Sequence, residues 1–229
     1  MNQWFESLAE LFYPHLCLTC TGKLFAAEKY VCMPCWSDLP RTNFHLDPEN
    51  KMARLFWGRV RIESATAWFY FRKGSHFQQL IHHLKYKGLK DLGFDMGTKF
   101  GQEISASSFS GADWVIPIPL HRKKEKTRGY NQSLWVAMGL SAALKIPCSG
   151  DILIRASHTD TQTRKNRFER WQNVEGIFEV VKNHDITGKH ILLVDDVVTT
   201  GSTLEAAATT LLSAGVSKVS LAALAIADY

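Results

Sequence analysis

No apolar run in these 229 residues approaches the roughly 20 needed to span a bilayer, which excludes membrane insertion by a helix. The opening residues, MNQWFESLAELFYPHLC, show no basic n-region and no small-residue cleavage site, so a secretory leader is not expected and a cytoplasmic location is. No GxGxxG follows an expected strand and no GxxxxGK[ST] occurs, which removes the dinucleotide fingerprint and the P-loop. Internal repeats and low-complexity tracts are missing as well. Cysteine is scarce outside one region: of five, only Cys148 lies beyond residue 35, and it reads as a free thiol, buried or partly buried.

Within that region, Cys17, Cys20, Cys32 and Cys35 form two CxxC pairs separated by eleven residues. Each pair can set two thiolates on a tetrahedral Zn2+, and the intervening segment is long enough to fold back as a knuckle. Cytosolic thiols stay reduced, so metal is expected ahead of disulfides. Four cysteines close the coordination sphere, which makes the expected site structural rather than catalytic. Before it, Trp4, Phe5, Leu8, Leu11 and Phe12 lie at helical spacing; the polar face carries glutamates and no basic residue, so this helix is expected to pack on protein.

A second concentration of signal is ILLVDDVVTTGST, Ile191 to Thr203. Ile191 to Val194 is an apolar run of the kind buried in a parallel sheet, so Asp195 and Asp196 emerge where the strand leaves the core. A carboxylate accepts hydrogen bonds from two vicinal hydroxyls. Thr199, Thr200, Gly201, Ser202 and Thr203 then form a hydroxyl-rich turn around glycine, leading into a helix whose free N–H groups attract phosphate. Ser202 and Glu205 have capping-box spacing. The order describes a sugar-phosphate site.

Other segments supply an α/β frame. Ala65–Phe71 reads as a strand, and Ser75 with Gln78 opens a helix through Leu84. Trp114–Leu120 (WVIPIPL) is a strand with two prolines, which should lie at a sheet edge or be ending there. Gly129–Leu144 reads as an amphipathic helix. Short strands follow at Ile152–Ile154 and Ile177–Val181, and a last one at Val219–Ile226. This alternation predicts a mostly parallel sheet flanked by helices, with ligands at the carboxyl ends of the strands. Leu39–Glu49 is polar with two prolines and reads as a linker, dividing a module of residues 1–48 from a domain of residues 49–229.

The net charge of +5 is unevenly spread. Residues 120–130 carry +4 and residues 155–172 carry +3, leaving −2 for the remainder, as two segments facing a polyanion would require. Tyr130, Trp135, Phe168 and Trp171 lie among these charges and would suit base stacking, although core packing is favoured for Trp135.

The stretch from Ile191 to Thr203 resembles the PRPP motif of type I phosphoribosyltransferases. Together with LFYPHLCLTC, CMPCW, IHHLKYKGLKDLG and VIPIPLHRKKEKTRGYNQS, it makes nearly the whole chain similar to the ComF family, phosphoribosyltransferase-like proteins linked to DNA uptake in natural competence. The resemblance implies a zinc-binding module before a type I phosphoribosyltransferase-like domain. It implies that Asp195 and Asp196 hold the ribose and act in catalysis, and that Val198, Thr199, Thr200, Gly201, Ser202 and Thr203 complete the PRPP site. His121, Arg122 and Lys123 would form the pyrophosphate loop. Arg164, Lys165 and Arg167 fall where a flexible loop closes over the site. Lys85 and Lys87 either join that anion site or neutralise a helix C-terminus. Mg2+ would accompany PRPP, and single-stranded DNA and other competence proteins are the expected partners. Two readings stay open: transfer of phosphoribose to an unnamed acceptor, and a non-catalytic PRPP sensor that binds single-stranded DNA.

Overall fold

The structure, a computed structural model, describes residues 15–156, 177–181 and 185–228. The N-terminal stripe from Trp4 to Phe12 lies outside the described residues, as do Arg164, Lys165, Arg167, Phe168 and Trp171. In chain order the first half comprises α1 (Met33–Ser37), α2 (Lys51–Arg54), β1 (Ser64–Phe71), α3 (Gln78–Tyr86), α4 (Lys90–Ile104) and β2 (Trp114–Pro117). There follow α5 (Arg122–Arg128), α6 (Gln132–Leu144), β3 (Leu153–Arg155), β4 (Phe178–Val180), β5 (His190–Val198), α7 (Ser202–Ser213) and β6 (Lys218–Ala227).

Four strands form a parallel sheet in the order β1-β6-β5-β2. The apolar run Ile191–Val194 is fully buried because helices cover both faces, as expected of a parallel strand. Its side chains alternate between two cores. Leu192 and Val194 face α4 and α6; Ile191 and Leu193 face α7.

β2 lies at the end of this sheet, where its prolines are tolerated. The Ile118 N–H donates to Val194 O at 2.8 Å, whereas the Val115 N–H turns outward to Pro147 O at 2.9 Å. By alternation, Pro117 and Pro119 occupy outward positions, where no N–H is needed by β5.

The two short strands depart from the expected parallel frame. β3 and β4 pair with each other, antiparallel, in a separate two-stranded sheet. Only one face is apolar: Leu153 and Phe178 are buried while Ile154 is 39% exposed, which suits an antiparallel pair and not a parallel sheet covered on both sides.

α6 is also not the amphipathic helix expected from Gly129. It begins at Gln132, capped by the Asn131 side chain, and carries apolar residues around its circumference because it is packed between α4 and the sheet. Glycines set how closely α4 and α6 approach. A Cβ at Gly97 would lie 2.2 Å from Val136 O, and one at Gly139 would lie 2.2 Å from Phe94 O, so the two backbones nearly touch.

The segment Leu39–Glu49, which reads as a linker, covers the outer edge of β1. The Thr42 N–H donates to Trp68 O at 3.1 Å, and the Tyr70 N–H donates to Pro40 O at 2.8 Å. An open strand edge is thereby closed. The cysteine-bearing residues share one core with the main sheet: Cys17, Cys32 and Cys35 pack in the cluster containing Trp68, Leu80 and Phe100.

Candidate functional site

β5 delivers Asp195 and Asp196 toward its carboxyl end, just after the continuous buried run Ile191–Val194. Asp195 Oδ1 accepts from the Asp196 N–H at 2.8 Å and from Ser133 Oγ at 3.1 Å, so the first turn of α6 braces it. Burial, followed by repulsion from Asp196, pushes the Asp195 carboxyl up to about 7. Asp196 Oδ1 accepts from the Val197 N–H at 2.6 Å, and its Oδ2 lies 3.2 Å from Lys85 Nζ.

Lys85 therefore sits across from the acidic pair, on the last turn of α3. Lys87, the C-cap of the same helix, is exposed to solvent. The two roles left open in the sequence separate here: Lys85 meets a carboxylate of the candidate site, and Lys87 stays at the helix end. Tyr130 fixes this arrangement, since its hydroxyl donates to Leu84 O. It is 6% exposed and so is core, not the stacking surface its position suggested.

After β5 the chain turns through Thr199 and Thr200, both exposed, to Gly201. Val198 buries its side chain in the core and pairs in the ladder with Ile226 of β6. The expected capping box does not form. Gly201 is the N-cap of α7, at φ +77°, with no side-chain cap; the Ser202 hydroxyl instead lies 3.0 Å from that of Thr200. The Glu205 carboxylate is drawn away by Arg59, a stronger, charged partner than a backbone N–H. Arg59 also donates to Thr200 O at 2.9 Å. Beneath the turn, a Cβ on Gly201 would lie 2.9 Å from the Phe56 ring. Arg59 and Phe56 thus define the loop from below. The sequence gives no signal for either, because a lone arginine and a lone phenylalanine some 140 residues upstream belong to no motif.

Beside the acidic pair is a basic surface. A cleft of about 450 Å³ is lined by Lys85, Tyr86, Lys123, Lys124, Thr127 and Arg128, and through Lys85 it adjoins Asp196. Of the three residues expected in the pyrophosphate loop, Lys123 lines the cleft. His121 and Arg122 lie at the start of α5, where His121 Nδ1 accepts from the Lys123 N–H at 3.2 Å. The exposed aromatic here is Tyr86, 62% exposed, with the Arg128 guanidinium 5.2 Å from its ring. Trp135 packs on the core with the Lys90 ammonium over it.

The four cysteines converge at the other end of α3. Their sulfurs all lie within 4.8 Å of one another, and Cys20 and Cys32 are 3.7 Å apart. Two sulfurs on one tetrahedral Zn2+ are about 3.8 Å apart, so the cluster has the donors and spacing to hold a metal such as zinc. Burial pushes Cys17 up, but the N–H groups of Cys20, Cys32 and Thr19 outweigh it and bring the thiol down to about 6. Cys35 is pushed up by burial and by the neighbouring sulfurs. No helix among the described residues is long and apolar enough to cross a membrane.

Residues 131–228 match the phosphoribosyl transferase domain family. Competence protein F of Haemophilus influenzae is 37% identical over 112 residues, 48% of this chain and 49% of that protein, so the match spans about half its length. Competence protein ComFC of Bacillus subtilis is 26% identical over 200 residues, 87% of this chain and 79% of that one. The DNA utilization protein YhgH of Escherichia coli K12 is 26% identical over 221 residues, 91% and 96% of the two chains. Among solved structures, the glutamine PRPP amidotransferase from B. subtilis, complexed with ADP and GMP, is similar at 22% identity and a TM-score of 0.45, covering 62% of this chain and 30% of that one. With four clustered cysteines ahead of a phosphoribosyltransferase-type domain and competence proteins among its relatives, this chain is similar to proteins of the ComF type.

Proposed function

We propose that this protein binds PRPP at the carboxyl end of β5 and transfers its phosphoribosyl group to an acceptor, on the cytoplasmic side, during DNA uptake in natural transformation. The observation that carries this reading is the continuity of the acidic pair, the Arg59-held turn and the basic cleft, joined by the Lys85–Asp196 contact. Asp195 and Asp196 accept hydrogen bonds from the two ribose hydroxyls. The turn from Val198 to Thr203 offers backbone N–H groups and hydroxyls to the 5-phosphate.

As pyrophosphate leaves, positive charge grows at ribose carbon 1 and negative charge at the departing oxygens. Lys85 and Lys123 answer the second, with His121 and Arg122 nearby and Arg164 and Arg167 contributed by the second basic segment. The hard oxygen donors of Asp195 and Asp196 suit Mg2+, which when bound supplies charge neutralisation of the leaving group. We assign residues 1–48 as a module held by structural Zn2+ on Cys17, Cys20, Cys32 and Cys35, and residues 49–229 as the phosphoribosyltransferase-like domain.

The decisive experiment is incubation with PRPP, Mg2+ and candidate acceptors, following pyrophosphate release. Release dependent on Asp195 and Asp196 supports transfer. PRPP binding with no release under any acceptor overturns it and leaves the second reading, a PRPP sensor that binds single-stranded DNA among other competence proteins. That reading is favoured by one feature, the exposed Tyr86 beside four basic side chains, which suits a base stacked over a backbone-binding groove.

A further inference from the structure

Arg59 belongs to no motif, yet it reaches the middle of the turn between β5 and α7. The segment that carries it is held firmly. Asn50, 3% exposed, is the pivot: its Oδ1 accepts from the N–H groups of Met52 and Ala53 at 2.9 and 3.0 Å. Its Nδ2 donates to Ala65 O at 2.8 Å and to Phe44 O at 3.1 Å. One buried side chain thereby caps α2 and ties it to the start of β1. Phe56 is fully buried under Gly201, and the N–H groups of Arg59 and Val60 both donate to Phe56 O. The guanidinium is thus presented from a fixed base.

Its planar fork serves several acceptors at once. One arm donates to Leu55 O and to Thr200 O, each at 2.9 Å. The other meets the Glu205 carboxylate and lies 3.5 Å from Ser202 Oγ. An ammonium lacks the geometry to do this.

Two of these contacts remove something that would repel a phosphate. The Thr200 carbonyl is the negative end of a peptide dipole. Bound to Arg59, it is not free to rotate toward an anion resting on the exposed residues Thr199, Thr200, Ser202 and Thr203. Glu205 is the acid in the first turn of α7, where it complements the helix dipole but repels any anion that the same terminus attracts. Opposite Arg59 its charge is neutralised.

On the reading of this turn as the 5-phosphate site, on which the role depends, we propose that Arg59 is a positioning residue for the 5-phosphate of PRPP. It fixes the Thr200 carbonyl and cancels the charge of Glu205 without itself touching the ligand. The segment from Asn50 to Arg59 thereby takes part in ligand binding.

The test is calorimetric titration of PRPP, ribose 5-phosphate and pyrophosphate, each with Mg2+, into zinc-replete full-length protein. Arg59→Ala should weaken PRPP and ribose 5-phosphate by about tenfold, the scale of one charge-assisted contact, while pyrophosphate, which has no 5-phosphate, stays within about twofold. Adding Glu205→Gln to that variant should restore about threefold of the ribose 5-phosphate affinity, the scale of one charge near a helix N-terminus. A purely structural role would weaken all three ligands together, and that result overturns the proposal. Unchanged ribose 5-phosphate binding in Arg59→Ala overturns it as well. No regain on adding Glu205→Gln would make Arg59 a direct ligand contact and overturn the positioning role. If the unsubstituted protein binds pyrophosphate but not ribose 5-phosphate, the turn is not a 5-phosphate site, and the underlying reading fails before any variant is made.

Discussion

Lys85 Nζ stands 3.2 Å from Asp196 Oδ2, linking the end of α3 to the end of β5. The contact places a cation of one motif on a carboxylate of another, 111 positions away in the chain. PRPP with Mg2+ should accordingly raise the thermal midpoint of the wild-type protein. Asp195→Asn with Asp196→Asn should abolish that rise, and Lys85→Ala should lower PRPP affinity by about tenfold, the scale of one charge-assisted hydrogen bond. Differential scanning fluorimetry across a PRPP titration reads all three. Normal PRPP binding by the double variant would show that the site lies elsewhere.

Gly201 is required twice over. Its φ of +77° disfavours any side chain, and a Cβ would meet the Phe56 ring at 2.9 Å. Gly201→Ala should cost about 1–3 kcal/mol in denaturant unfolding. Combining it with Phe56→Leu should recover part of that loss relative to the sum of the single changes. Additive costs would mean that the backbone conformation alone demands glycine and that Phe56 does not shape the loop.

The α4–α6 contact predicts a sharper contrast. Gly97→Ala would press a methyl group against Val136 O, a backbone atom that cannot move alone, and should cost about 3 kcal/mol or more. Gly111→Ala, where nothing lies within 4 Å and φ is ordinary, should be close to neutral. Because α6 also carries Ser133 to Asp195, a folded Gly97→Ala protein should lose PRPP-dependent stabilisation too. Retention of it would separate the helix packing from the site.

What the sequence made legible was whatever repeats a local rule. Ile191–Val194 announced a buried parallel strand, the outward prolines announced an edge, and two CxxC pairs announced four converging sulfurs. What it concealed depends on partners distant in the chain. Ser202 and Glu205 have the spacing of a capping box, yet Arg59 captures the glutamate, and nothing local to either reveals this. β3 and β4 have strand composition, but three residues each do not say which neighbour they will choose. The Leu39–Glu49 segment is polar and proline-rich, yet its backbone is what closes the edge of β1.

The cysteine cluster makes a prediction about folding itself. Cys17, Cys32 and Cys35 pack in the same core as Trp68 and Phe100, so loss of metal should not be confined to the knuckle. Elemental analysis of gently purified protein should find one zinc per chain, and chelation should lower the thermal midpoint of the whole chain. Cys20→Ser should reproduce that loss. Absence of zinc from such preparations would remove the metal assignment.

Asp195 offers a pH-dependent test in which function and stability oppose each other. Burial and Asp196 push its carboxyl up to about 7 in the folded protein, from an ordinary 3.8. Between these two values the folded state keeps a proton that the unfolded state releases, so stability falls as pH rises through that window and stays low above it. Asparagine has no proton to lose and keeps an oxygen for the Asp196 N–H and Ser133. Asp195→Asn should therefore raise the thermal midpoint of the ligand-free protein by a few degrees at pH 8, with the advantage fading as pH approaches 4. PRPP should reverse the ranking at pH 8, because only the ionised wild-type pair gains from ligand. Equal midpoints at pH 8 without ligand would mean that Asp195 ionises without penalty, and that the neighbouring carboxylates are not in conflict.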